Sequence, residues 1–137
     1  MELKPVTAQD RELIATAQAV LERNYRPVRH TVGAAVRASS GRVYAGVNVE
    51  ACGYGPCAEP IALGAAFSRG EREILAMVAV CKTDEGFAVL SPCGNCRQLL
   101  LDYCPTAEVV LEIDGQVVKS PVADLLPAAY ESGFDEE

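Results

Sequence analysis

Val32-Gly33-Ala34-Ala35-Val36, a polar turn at Ser39-Ser40-Gly41, and Val43-Tyr44-Ala45-Gly46-Val47-Asn48-Val49 read as a β-hairpin. A helix precedes it. Thr7-Ala8-Gln9-Asp10 offers an N-cap hydroxyl and an acid for the first turn, and Leu13, Ile14, Ala17, Val20 and Leu21 recur at helical spacing to about Arg23. Asn24 to Arg29, with Pro27, breaks that helix. After the hairpin, Gly53, Gly55 and Pro56 mark a loop, and a second helix is expected from near Cys57 through Ile61, Ala62, Leu63 and Ala66, with Pro60 tolerated in its first turn. Ile74 to Val80 reads as a strand, punctuated by Thr83-Asp84-Glu85-Gly86. Val89-Leu90 leads into Ser91-Pro92-Cys93-Gly94-Asn95-Cys96, and Arg97 to Tyr103 reads as helical. Val109 to Ile113 and Val117-Val118 form a second hairpin around Asp114-Gly115, and Ala123 to Tyr130 suggests a short last helix. The alternation predicts one α/β domain over residues 1–137, a three-layer sandwich of helices on a mixed five-stranded sheet.

Bulk properties narrow the function. No stretch approaches the roughly 18 consecutive apolar residues of a membrane helix, and Met1 to Arg11 is charged with no apolar centre, so a cytoplasmic protein is expected. The net charge is −7, with Glu131, Asp135, Glu136 and Glu137 read as a solvated acidic tail. Twelve scattered basic residues form no run that could neutralise phosphates, so neither a nucleic acid nor a membrane is expected as a partner. Six cysteines without an export signal read as reduced thiols. Cys81 and Cys104 read as small buried residues, and so does Cys52.

The remaining cysteines carry chemistry. Cys93-Gly94-Asn95-Cys96 places two sulfurs on one face at a helix start, where the helix dipole favours thiolates, the form that zinc binds. A lone C-x-x-C is equally a redox pair or a structural zinc site. Cys57-Ala58-Glu59 adds a third thiol at another helix start, and three protein ligands are the count of a catalytic Zn²⁺ site. Glu59 stands beside the metal without ligating it, placed to move protons. The alternative is a structural zinc knot with Cys52 as fourth ligand, a non-enzymatic scaffold that leaves Glu59 without a purpose.

Cys57-Ala58-Glu59 followed by Ser91-Pro92-Cys93-Gly94-Asn95-Cys96-Arg97-Gln98 resembles the cytidine deaminase superfamily in its all-cysteine form. The resemblance runs from Val32 to Tyr130 and includes Gly46-Val47-Asn48-Val49-Glu50 and Leu125-Leu126-Pro127. It implies a cytidine deaminase-like fold and hydrolysis of a free cytosine nucleoside, cytidine or deoxycytidine, to the uracil nucleoside and ammonia, a step of pyrimidine salvage. In that reading Asn48 and Glu50 hydrogen-bond the ribose, the Ala58 N–H meets the pyrimidine carbonyl, and the Ser91 carbonyl accepts from the exocyclic amine. Glu59 deprotonates the attacking water, protonates the ring nitrogen and assists loss of ammonia. The resemblance also implies a homotetramer in which Tyr130 reaches a neighbour's site.

Three features depart from the family pattern. Pro60 stands where an Arg usually bonds the ligand thiolates, leaving Arg97 or helix dipoles to offset their charge. His30 is the counterpart of an aromatic that stacks on the base, with a solvated loop residue as the equal alternative. The loop from Glu50 to Cys57 is short, and its Gly55-Pro56-Cys57-Ala58-Glu59, with Arg97 to Asp102 and Asp124 to Pro127, resembles blasticidin S deaminase. A blasticidin S-type or other aminopyrimidine is therefore the alternative substrate.

Overall fold

A computed structural model describes residues 2–131 and Gly133. Strand β1 (Lys4–Pro5) is followed by α1 (Ala8–Asn24), the hairpin β2 (Val32–Ala38) and β3 (Val43–Val47), and α2 (Ala58–Ser68). A second hairpin, β4 (Ile74–Thr83) and β5 (Gly86–Leu90), leads to α3 (Gly94–Tyr103) and a third, β6 (Glu108–Ile113) and β7 (Gln116–Pro121). One 3₁₀ turn closes the described chain at Val122–Leu125.

The α1 start is a reciprocal cap. Thr7 Oγ1 accepts from the Asp10 N–H at 3.2 Å while Asp10 Oδ2 accepts from the Thr7 N–H at 2.8 Å. Asp10 is fully buried and faces Lys119 Nζ at 3.0 Å and Arg37 Nη1 at 3.6 Å, so the cap also ties α1 to β7 and β2.

The sheet runs β1-β7-β6-β4-β2-β3, with β5 also on β4. All pairings are antiparallel except β4 with β6. Side-chain alternation sorts two cores. Ala34, Val36 and Ala38 of β2 with Met77 and Ala79 of β4 pack under Ala62, Leu63 and Leu100 of α2 and α3. Ala35, Ala76, Val78 and Val80 point the other way, onto Leu13, Ala17 and Leu21 of α1. That is the expected three-layer α/β sandwich, with both faces of the central strands covered.

Small residues set the layer spacing. A Cβ on Gly33 would lie 2.4 Å from the Ala17 carbonyl oxygen, and one on Gly46 would lie 2.6 Å from Ile61 Cγ2. Each helix therefore rests on bare backbone.

Among the described residues the sheet has seven strands rather than the expected five. The two-residue β1 is too short to show periodicity, and β5 is defined by pairing with β4 from Ala79↔Leu90 to Thr83↔Gly86. The expected last helix is only the 3₁₀ turn, because Pro127 and a left-handed Ala128 (φ 52°) stop it. The turn at Asp114-Gly115 has positive φ at both residues, 52° and 81°, the geometry a two-residue hairpin requires. Glu131 is exposed; Asp135, Glu136 and Glu137 lie outside the described residues.

The far edge of β4 is shared, β6 pairing at Ala76–Met77 and β5 from Ala79 onward. The end of β5 delivers Ser91 to Cys93 beside the start of α2.

Candidate active site

Cys57 is the N-cap of α2 and Cys93 the N-cap of α3. Among the described residues no side-chain hydrogen bond caps either helix, so the amide dipoles of both first turns face the sulfur cluster. Cys57 Sγ lies 3.8 Å from Cys93 Sγ, and Cys93 Sγ lies 3.5 Å from Cys96 Sγ. All three sulfurs fall within 4.8 Å of one another. Tetrahedral zinc with Zn–S bonds of about 2.3 Å separates its sulfurs by about 3.8 Å, close to the Cys57–Cys93 and Cys93–Cys96 S···S distances, so the thiols are spaced for that ion.

Their surroundings treat the three thiols differently. Burial raises the Cys93 thiol pKa, but the N–H groups of Cys96 and Asn95 and the neighbouring thiols outweigh it, leaving Cys93 below the ordinary thiol value. Cys57 is pushed up by burial and then by Cys93. Cys96 is pushed up furthest, by burial and then by the charge of Glu59. The helix dipoles thus favour one thiolate, not the three expected from position alone. A divalent cation held by the three would stabilise the other two as thiolates.

Glu59 is in the first turn of α2 and only 5 % exposed. Burial raises its pKa; its own backbone N–H and Cys96 oppose that. A buried acid poised to hold or release a proton beside a metal set is the arrangement of a proton-transfer group.

A cavity of about 240 Å³ opens over the cluster. Cys57, Glu59 and Cys93 line it, with Ala58, Ser91, Asn48 and Glu50, while Cys96 is buried beneath. Thr31, Val32 and Leu90 complete the wall. These three had no chemical signature in the sequence; only their adjacency to the hairpin and the Ser91-Pro92 turn pointed to them.

Other expected residues lie elsewhere. His30 is not among the wall residues; its Nδ1 meets the Asn48 carbonyl oxygen at 2.8 Å and so carries the hydrogen of that bond. Tyr130 is 74 % exposed in a broad groove with Phe67 and Tyr103, away from the cavity wall of its own chain.

Arg97 does not serve the thiolates. Its Nε donates to Pro92 O at 2.8 Å, Nη1 to Leu125 O at 2.9 Å and Nη2 to Ser91 Oγ at 2.8 Å. All three nitrogens are committed, and they brace the turn that presents Ser91 and Cys93. Cys52 is exposed rather than buried and stands outside the sulfur cluster, so it supplies no fourth ligand there. Cys104 is buried, its sulfur accepting from the Ile74 N–H at 3.3 Å, while Cys81 is only half-buried.

Three thiols spaced for one tetrahedral ion, with a buried acid beside them under a cavity, define a zinc hydrolase site. The model of the cytidine and deoxycytidylate deaminase zinc-binding region matches residues 7–113. Blasticidin-S deaminase of Bacillus cereus is 36 % identical over 132 residues, covering 91 % of this chain and 94 % of that protein. Cytidine deaminase of Halalkalibacterium halodurans is 37 % identical over 123 residues, covering 86 % and 91 %. The crystal structure of cytidine deaminase from Burkholderia pseudomallei superposes with a TM-score of 0.74 at 37 % identity, covering 91 % of this chain and all of that one (100 %). The chain belongs to the cytidine deaminase superfamily, hydrolases of C–N bonds, and Zn²⁺ is its cofactor.

Proposed function

We propose that this protein hydrolyses a free cytosine nucleoside, cytidine or deoxycytidine, to the uracil nucleoside and ammonia. The observation that carries the reading is Glu59, buried at the foot of a cavity beside the three thiols. Cys57, Cys93 and Cys96 would hold zinc, which would supply the Lewis acidity that makes water a nucleophile at neutral pH. Glu59 takes a proton from the attacking water and passes it to the ring nitrogen next to the amine-bearing carbon. It then transfers the second proton to the departing amine, so that water enters and ammonia leaves. The Ala58 N–H, at the start of α2, meets the pyrimidine carbonyl, and the Ser91 carbonyl accepts from the amine.

Asn48 and Glu50 hold the sugar. Asn48 is 4 % exposed and its Oδ1 accepts from the Thr31 and Val32 N–H groups at 2.8 and 2.9 Å. That fixes the amide orientation and leaves Nδ2 as the donor, with one N–H on Thr31 Oγ1 at 3.2 Å and the other toward Glu50 Oε2 at 3.4 Å, the longer contact being the one a ligand hydroxyl would enter. An amide donor beside a carboxylate acceptor matches a hydroxyl, which both accepts and donates.

The cavity wall contains no aromatic ring among the described residues, while Tyr130 stands exposed at a groove. Both support a homotetramer in which Tyr130 reaches a neighbouring site. No helix among the described residues is long and apolar enough to cross a membrane, in keeping with a cytoplasmic salvage enzyme acting on a small molecule.

The test is ammonia release by the zinc-loaded protein from cytidine, deoxycytidine, cytosine and blasticidin S. Release from the two nucleosides that is lost in Glu59→Gln is the expected result. Undiminished release from a zinc-replete Glu59→Gln protein excludes the mechanism. A second reading, a blasticidin S-type substrate, is favoured by the identity to the Bacillus cereus enzyme across nearly the whole chain.

A further inference from the structure

We propose that Arg29 is a positioning residue that sets Glu50 for a sugar hydroxyl and so confers preference for nucleosides over free bases. The inference rests on the reading of Glu50 as a sugar-binding group. The guanidinium Nη1 of Arg29 donates to the Glu50 carbonyl at 2.9 Å, and the Glu50 N–H donates to the Arg29 carbonyl at 3.3 Å. One residue thus grips both backbone polar groups of Glu50.

The grip continues upstream and downstream. His30 Nδ1 donates to the Asn48 carbonyl at 2.8 Å, and the Val49 N–H donates to Pro56 O at 3.0 Å. The carboxylate has a bed of its own. A Cβ on Gly55 would lie 3.0 Å from Glu50 Oε1, and Asn48 Nδ2 faces Oε2. Asn48, Glu50 and Cys57 line the cavity, so the segment held by Arg29 and His30 is the sugar-side rim.

The turn that supplies Arg29 is strained. Arg26 and His30 close it with hydrogen bonds of 3.1 and 2.9 Å, and Val28 between them has φ 72°. A β-branched residue in the left-handed region persists only where its surroundings over-determine the chain, and such positions cluster at ligand clamps. Val28 itself is 77 % exposed, so packing of its side chain does not explain the conformation. The four-residue turn around Pro27-Val28, closed by the Arg29 N–H on the Arg26 carbonyl at 3.1 Å, accounts for a positive φ at its third residue, and the contacts of Arg29 and His30 with residues 48–50 seat that turn on the rim.

Arg29→Ala, Arg29→Lys, Glu50→Ala and the Arg29→Ala/Glu50→Ala double variant separate the possibilities, with uridine and uracil binding to the zinc-loaded protein read by calorimetry. Loss of a charge-assisted hydrogen bond predicts that Arg29→Ala weakens uridine about 10-fold and leaves uracil unchanged, with Arg29→Lys recovering part of the loss. The KM for cytidine rises by a similar factor while kcat holds. If Arg29 acts through Glu50, the double variant binds uridine no more weakly than Glu50→Ala alone. Equal weakening of uridine and uracil, or the same Arg29→Ala cost in the Glu50→Ala background, overturns the proposal. So does an Arg29→Ala protein with unaltered uridine affinity when Glu50→Ala binds it poorly. If Glu50→Ala itself leaves uridine affinity unchanged, the sugar reading of Glu50 fails, and the selectivity assigned to Arg29 falls with it.

Discussion

Asp10 and Glu59 are both buried acids in the first turn of a helix, and their surroundings push them in opposite directions. Asp10 is fully buried, and that burial raises its pKa; the Thr7 N–H, Lys119 and the Thr7 hydroxyl more than reverse the effect and hold it below the ordinary carboxylate value. Glu59 is 5 % exposed and has only its own N–H and a thiol against the same penalty, so its pKa is raised. The first acid is matched with partners and stays charged, which binds α1 to β2 and β7. The second is left short of partners, which suits the proton-transfer role proposed for it. A helix N-terminus favours a carboxylate in either case. What surrounds it decides whether the group serves the fold or the reaction.

Glu59→Gln probes the contrast most strongly. It should lower kcat by at least about 1,000-fold, with zinc content by atomic absorption unchanged, because a neutral amide cannot relay protons. A similar kinetic loss in Asp10→Asn would erase the distinction between the two acids.

Asp10→Ala should cost about 3 kcal/mol in urea unfolding while kcat and KM hold. Lys119 keeps Glu108 at 3.3 Å, which limits the loss, but Arg37 Nη1 is already without a hydrogen-bond partner and would also lose its ion pair. The same acid sets a pH window. Because its folded pKa is depressed, its contribution is present in full above its ordinary value of 3.8 and is lost as pH falls through the folded value. Asp10→Asn should therefore flatten the acid limb of the stability curve, measured by urea midpoints from pH 5 downward.

The smallest effect has the opposite sign. Metal-free Glu59→Gln should be more stable than the metal-free parent by about 1 kcal/mol, since burying an amide costs less than burying a poorly partnered carboxylate. A loss in that variant would mean that Glu59 contributes to the fold as Asp10 does.

The sequence carried the two hairpins around Ser39-Ser40-Gly41 and Asp114-Gly115, the α1 cap and the gathering of Cys57, Cys93, Cys96 and Glu59, because each depends on local spacing. Strands β1 and β5 were not legible, since a two-residue strand has no period and β5 is defined by its partner. The same holds for Arg97 and His30. Their residue types invited roles at the thiolates and at the base, whereas His30 bonds the Asn48 carbonyl and Arg97 the Pro92 and Leu125 carbonyls and the Ser91 hydroxyl, of which Asn48 and Leu125 are brought near only by tertiary folding. The exposure of Cys52 was equally invisible, because nothing in a Gly-flanked loop tells which way a small side chain turns.

Cysteines, poor substitutes for Ser, Thr, Asp or Asn at a helix start, occupy the N-cap of both α2 and α3. An ion held by Cys57, Cys93 and Cys96 would thus also act as a rivet between the two helices, fastening each where ordinary capping would have secured it alone. A chelator should consequently loosen the joint between these helices, and metal supply would govern how much of this protein survives proteolysis as well as how fast it turns over.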